Sequence, residues 1–317
     1  MTTNSNPTEF PSIDLSSFLL PASDPTRLPI TVEPLTLPAS VLSSTSTIEP
    51  KAYVLHNILT PAECAGFIQL ADTGILPSGE PLLVPTNDGR TQRYVNSDRG
   101  IINSLSLANV VWERIRDVLG KYDEQISGVL EVKDEDDGMV GKSWRMNGRW
   151  RADGLNEVWR LVRYETGGHF GPHRDGVLVT DLNRRSMKTF MFYLNGDFEG
   201  GTTNFVDDQD LYTDEVTGKI RARDGTIASR VRPEAGMALV FNHGLLHEGD
   251  VLLSGKKYIL RSEIMFSRIE PIENSAKESE AIQLKQRAEQ LESEGRQTEA
   301  VALYRRAFKL CPDIENF

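Results

Sequence analysis

Cysteine is scarce in this chain: Cys64 and Cys311 are the two it has. Two thiols cannot frame a disulfide scaffold or a thiolate metal cage, which suits a reducing compartment and leaves any metal to nitrogen and oxygen ligands. Long apolar runs are missing too. Nowhere do about 18 apolar residues follow one another, so no membrane-spanning helix is encoded. The opening MTTNSNPTEF has neither the positive region nor the apolar stretch of a secretory signal. These absences predict a soluble cytoplasmic protein, with the nucleus left open. Positive charge is in deficit, 35 Lys and Arg against 46 Asp and Glu, a net charge of -11. Such a field repels phosphate backbones and anionic lipid, and argues against nucleic-acid and membrane partners. Histidine is sparse as well. Of five, four fall in two short segments, GGHFGPHRDG and NHGLLHEGD.

What is present is ordinary globular material, 39% hydrophobic and 26% charged, enough for one large domain with an appendage or for two domains. Residues 1–48 are rich in Ser, Thr and Pro without a sustained period and predict an irregular leader. KAYVLHNIL reads as a strand. Thr60, Pro61 and Glu63 then form a capping box that starts a helix running to about Asp72. A second helix is expected over SLANVVWERIRDVLGKY, where Val111, Ile115, Val118 and Leu119 recur at helical spacing and Gly120 supplies the stop. From about residue 157, VWRLVRY, KTFMFYLN, GMALVFN and KYILRSEIMF are short β-type runs between turns, which points to a sandwich or barrel. The polar insert 207–233 reads as a hairpin near the mouth of that barrel or as an inert surface loop. SWRMNGRW interleaves Trp144 and Trp150 with Arg145, Arg149 and Arg151, and reads either as a substrate-facing lid or as a surface loop with a buried Trp.

The segment 275–317 is charged and helix-forming. Leu284, Ala288, Leu291, Gly295, Ala300, Tyr304, Ala307 and Pro312 match one tetratricopeptide-like unit, a helical hairpin. A single unit cannot bury its own face. It must therefore pack on the main domain, on another subunit or on a partner protein.

The chemistry lies in the histidine segments. In HRD, strand alternation puts His173 and Asp175 on one face, so that imidazole and carboxylate reach the same ion while Arg174 points away. His247, from a distant strand, completes a site of two histidines and one carboxylate. Three octahedral positions stay open, the arrangement of non-haem Fe(II) oxygenases. Zinc hydrolases more often use three histidines or a helical HExxH.

The ordered strings RYETGGHFGPHRDG, YLNGDFEGGTTNF and RPEAGMALVFNHGLLHEGDVLLSGKKY resemble the prolyl 4-hydroxylase-like branch of the 2-oxoglutarate and Fe(II)-dependent oxygenases. The resemblance covers about 155–268, with LTPAECAGFIQLAD and RYVNSDR similar to that branch's entry region. It implies a mainly β fold with flanking helices: a double-stranded β-helix (jelly-roll) core within an oxygenase domain at 49–270, followed by the C-terminal helical hairpin. It implies Fe(2+), 2-oxoglutarate and O2 as cofactor and cosubstrates, with ascorbate restoring oxidised iron. It makes His173, Asp175 and His247 the metal ligands. Lys257, ten residues beyond His247, becomes the cation for the distal carboxylate of 2-oxoglutarate. Arg261 is its competitor on the same strand face, and Tyr164 donates a hydrogen bond to that carboxylate. Thr202, Thr203 and Asn204 either shape the pocket or belong to a tight turn, and His169 and His243 are left unassigned. The function implied is a dioxygenase hydroxylating an aliphatic C–H, with a prolyl or other protein side chain favoured as substrate. A small metabolite or a free amino acid is the alternative. A non-catalytic barrel acting through 275–317, or a cupin-like metal protein without affinity for 2-oxoglutarate, are the rivals from other classes.

Overall fold

The computed structural model describes residues 10–38, 48–86, 95–133, 145–207, 211–215, 220–293 and 296–316. Its core strands are β1 (Thr31–Pro34), β2 (Ala52–His56), β3 (Asp98–Asn103), β4 (Val158–Tyr164), β5 (His169–His173), β6 (Arg184–Tyr193), β7 (Thr203–Val206), β8 (Ile227–Val231), β9 (Ala238–Asn242), β10 (His247–Gly249) and β11 (Lys257–Arg268). All of their pairings are antiparallel. The larger sheet runs β1-β2-β9-β6-β11-β4-β3 along its main path, and the smaller runs β8-β7-β10-β5. Side chains from both sheets line one cavity. The protein is thus mostly β, a core of two antiparallel sheets with C-terminal helices.

Alternation along β4 shows how sequence makes these layers. Trp159 and Leu161 are fully buried on one face, where the Trp159 ring stacks on Phe192 with centroids 6.2 Å apart. Arg160, Val162 and Tyr164 turn to the other face and into the cavity. Strand β11 repeats the pattern, with Lys257, Ile259 and Arg261 directed inward.

Two helices, α1 (Pro61–Thr73) and α2 (Leu105–Leu119), buttress the larger sheet from outside. The capping box predicted at Thr60 is present: Thr60 Oγ1 accepts from the Glu63 N–H at 3.3 Å, and the Glu63 carboxylate accepts from the Thr60 N–H at 2.7 Å. Glu63 also holds Arg27 at 3.0 Å and Arg114 at 2.9 Å, which ties the leader to both helices.

The described part of the leader is more ordered than its composition suggests. Its residues 31–34 pair with β2, and Leu15 and Leu37 enter the core. Strand β1 is an edge strand held by backbone hydrogen bonds, with mostly exposed side chains, so hydrophobic patterning could not reveal it. The insert forms a hairpin, Leu211–Thr213 with Ile220–Ala222, and then supplies β8 to the smaller sheet. Of the two readings left open for SWRMNGRW, Trp150 follows the buried one and does not form a lid. That ring is fully buried beneath Arg268, whose guanidinium lies 4.4 Å from its centroid, and Trp144 lies outside the described residues.

After β11 come α3 (Ala276–Ser293) and α4 (Gln297–Leu310), an antiparallel-packed pair with its own small core of Ala288, Leu291 and Ala300. The pair packs on its own chain. Ala281, Ile282, Cys311 and Ile314 close over Leu182 in the turn before β6. Gln286 Nε2 donates to the Val179 carbonyl nearby. Glu292 and Gln297 consequently reach the rim of the cavity. Among the described residues, no helix is long and apolar enough to cross a membrane.

Candidate functional site

His173 and His247 are direct partners across the β5–β10 pairing, with ring centroids 4.3 Å apart. Asp175 follows β5, and its N–H donates to the His243 carbonyl at 3.2 Å. These contacts bring one ligand atom from each of the three residues to within 4.8 Å of the others. The imidazoles are already oriented. His173 Nδ1 lies 2.8 Å from the Gly171 carbonyl and His247 Nδ1 lies 3.0 Å from the Leu245 carbonyl. A carbonyl can only accept, so each proton sits on Nδ1 and each Nε2 lone pair faces Asp175. Nε2 of His173 is 3.5 Å and that of His247 3.8 Å from the carboxylate. Burial, reinforced by His173, lowers the His247 pKa to about 3, so the ring is neutral as a metal ligand must be.

Burial alone would raise the Asp175 carboxyl, but the charged Arg261 beside it holds it well below its ordinary value. Arg261 Nη2 reaches Asp175 Oδ1 at 2.8 Å. The other oxygen accepts from the Thr189 hydroxyl. That donation fixes a chain of directions: Thr189 Oγ1 accepts from His243 Nδ1–H at 3.1 Å, and His243 Nε2 then accepts from the Ser186 hydroxyl at 2.9 Å. Ser186 Oγ in turn accepts from the Leu178 N–H at 2.8 Å. Burial lowers the His243 pKa to about 4, consistent with a neutral ring that donates on one side and accepts on the other. A bulge in β6 makes this possible. Met187 is the extra residue between Ser186 and Lys188 opposite β11, so Ser186 and Thr189, three apart, both face inward.

Lys257 marks the other end of the cavity. It stands opposite Tyr164 in the β4–β11 register, and its Nζ lies 5.5 Å from the ring centroids of both Tyr164 and Tyr193. Among the described residues its one side-chain hydrogen bond is to the Gly201 carbonyl, at 2.7 Å. Gly201 has φ 63, and a Cβ there would meet Leu252 Cδ1 at 3.0 Å, so this approach of backbone to lysine favours glycine. Among the described residues no carboxylate touches the ammonium. Burial lowers its pKa to about 7, with Asp250 opposing more weakly. A buried lysine with only a carbonyl for company is ready to receive an anion.

Every residue singled out in sequence for metal or cosubstrate lines this one cavity of about 280 Å³. Thr203 joins them, accepting the Tyr193 hydroxyl at 2.7 Å, whereas Asn204 turns away to Glu248. His243 supports Asp175 through Thr189, and His169 sits by a smaller cleft at Glu248 and Asp250. Sequence reasoning missed Thr189, Ser186, Tyr193 and Arg99. Alternation in KTFMFYLN groups Thr189 with Tyr193, but the bulge that adds Ser186 leaves no sequence signal.

Residues 159–262 match the family model described as the 2OG-Fe(II) oxygenase superfamily. No curated protein matches the sequence. Among solved structures, the viral collagen prolyl hydroxylase of Paramecium bursaria Chlorella virus-1, in its 2OG complex, is similar at 17% identity and TM-score 0.39, over 68% of this chain and 96% of that one. A Pseudomonas putida prolyl-4-hydroxylase is similar at 15% identity and TM-score 0.39, over 75% of this chain and 92% of that one. A Trichoplax adhaerens prolyl hydroxylase, solved with a hypoxia inducible factor peptide fragment, is similar at 14% identity and TM-score 0.37, over 68% and 83%.

Proposed function

We propose that this chain, whose residues 159–262 are 2OG-Fe(II) oxygenase superfamily sequence, is an Fe(II)- and 2-oxoglutarate-dependent hydroxylase of an aliphatic C–H bond. The observation that carries the reading is the joint presence, in one cavity, of the pre-oriented triad and a buried lysine lacking an anion. When bound, iron and 2-oxoglutarate supply an oxidant made from O2, with oxidative loss of carbon dioxide from the cosubstrate.

The protein's own contribution is holding and orienting. His173, Asp175 and His247 would hold the iron by one face. Lys257 would take the distal carboxylate of 2-oxoglutarate, with the Tyr164 hydroxyl beside it. Arg261 is spoken for by Asp175, so its part is to brace a metal ligand rather than to compete with Lys257. Phe170 stacks on His173 with centroids 3.6 Å apart and Phe241 packs on His247 at 4.6 Å. Both rings shield the ligands from water. A prolyl or other protein side chain is the first substrate class to test, on the motif resemblance, ahead of small metabolites and free amino acids. Ascorbate belongs in the assay as reductant.

The test is Fe(II)-dependent formation of succinate from 2-oxoglutarate with candidate substrates, with His173→Ala as control. The reading expects succinate from the wild-type protein and none from the variant. Equal yields from both, or no iron-dependent yield with any substrate, would leave the barrel a binding module.

A further inference from the structure

The cavity lining holds four cations, Arg99, Arg160, Lys257 and Arg261, against two carboxylates, Asp175 and Glu292. Three of the cations have an assignment. Arg261 meets Asp175 at 2.8 Å. Arg160 pairs with Glu263, which is buried and also held by Asn156 at 2.8 Å. Lys257 is committed, on the reading above, to 2-oxoglutarate. Glu292 comes from α3, is exposed, and accepts the Tyr304 hydroxyl at 2.9 Å.

Arg99 is the remainder. Among the described residues its side chain has neither a hydrogen bond nor an ion pair, although it is half-buried in the cavity wall. Its place on the sheet is defined: Arg99 is opposite Val162 on β4, which is opposite Ile259 on β11. It therefore flanks the step between the Arg160–Arg261 row and the Tyr164–Lys257 row. Burial lowers its pKa, and repulsion from Arg160 and Arg261 lowers it further. Three guanidinium groups gathered around one cavity with a counter-ion for only two is an unfavourable arrangement that an entering anion relieves. Iron, as a cation, does not relieve it.

We propose that Arg99, beside Arg160, binds a carboxylate of the hydroxylation substrate, so that the molecule oxidised is a carboxylate-bearing one. The proposal rests on the hydroxylase reading. A planar guanidinium is suited to a carboxylate by its paired donors. The available space agrees. At about 280 Å³ the cavity is just below the usual range of ligand sites, roughly 300–1,000 Å³, and 2-oxoglutarate would take part of it. A small acid, or the acidic end of a peptide, fits what remains. A neutral prolyl segment would leave Arg99 without a counter-ion.

The experiment uses the full chain loaded with Mn(II) and 2-oxoglutarate without oxygen, titrated calorimetrically with two sets of probes. One set is the free L-amino acids and small monocarboxylic acids; the other is tripeptides ending in a free or side-chain carboxylate. Each probe is paired with its amide. At least one acid is expected to bind about tenfold or more tightly than its amide, and the set it belongs to identifies the source of the carboxylate. Arg99→Gln is expected to abolish that preference and Arg99→Lys to restore part of it, with 2-oxoglutarate binding kept in both. The proposal is overturned if amides bind as well as acids, if no acid binds at millimolar concentration, or if Arg99→Gln keeps the preference. It is also overturned if Arg99→Gln loses 2-oxoglutarate, since Arg99 would then serve the cosubstrate. Failure of 2-oxoglutarate itself to bind the wild-type Mn(II) protein would instead strike the hydroxylase reading.

Discussion

Lys257 carries a pH dependence whose sign follows from its burial. The free ammonium has a pKa lowered to about 7, and a bound carboxylate would raise it. Below the free value the lysine is already charged and 2-oxoglutarate binds at full strength. Above it each binding event takes up a proton, so affinity falls about tenfold per pH unit until the bound-state pKa is reached. Calorimetric titration of 2-oxoglutarate across neutrality, in buffers of different ionisation heat, should show proton uptake on the alkaline side. A flat profile would remove Lys257 from the cosubstrate site. Thr189 is testable in the same way. Thr189→Val removes the donor to Asp175 Oδ2 and breaks the link to His243, and metal affinity should fall about 10–100-fold. Unchanged affinity in a metal titration would mean Arg261 alone suffices. At this scale the sequence was most informative where one residue's spacing sets its role: His173 with Asp175, and Lys257 after His247. Thr189, Ser186 and Arg99 were opaque because their roles depend on neighbours brought together by strand pairing.

Elements differ in how far their own residues announce them. The helix at Pro61 was legible because its start is a local hydrogen-bonding device, Thr60 with Glu63. Strands β4, β6, β9 and β11 were legible because both faces of the larger sheet are covered, which makes them strongly hydrophobic. Strand β1 was not, since its partner, not its side chains, makes it a strand. For the C-terminal hairpin the sequence showed the helices and left open what they would pack on. The answer lies in Leu182, a turn residue with no distinguishing pattern. Ile314 is fully buried in that junction. Ile314→Ala should cost about 2–5 kcal/mol at that contact. Thermal unfolding and proteolysis of 275–317 should show the hairpin loosening while the barrel persists. Unaltered proteolysis would mean the junction does not hold the hairpin in place.

The whole molecule sets a strongly acidic exterior, net charge -11, against a cavity in which cations outnumber carboxylates. Composition reports the exterior and conceals the interior. An overall field of that sign disfavours polyanions, while a few half-buried arginines and a buried lysine still select small anions by short-range contact. The central claim is that the triad and Lys257 together hold iron and 2-oxoglutarate. It is tested most directly by titrating 2-oxoglutarate into the Fe(II) protein without oxygen and following visible absorption. The account predicts a charge-transfer band that saturates in the wild-type protein, is lost in His173→Ala, and needs more 2-oxoglutarate in Lys257→Ala than in Arg261→Ala. No band in the wild-type protein, or a weaker effect of Lys257→Ala than of Arg261→Ala, would contradict it.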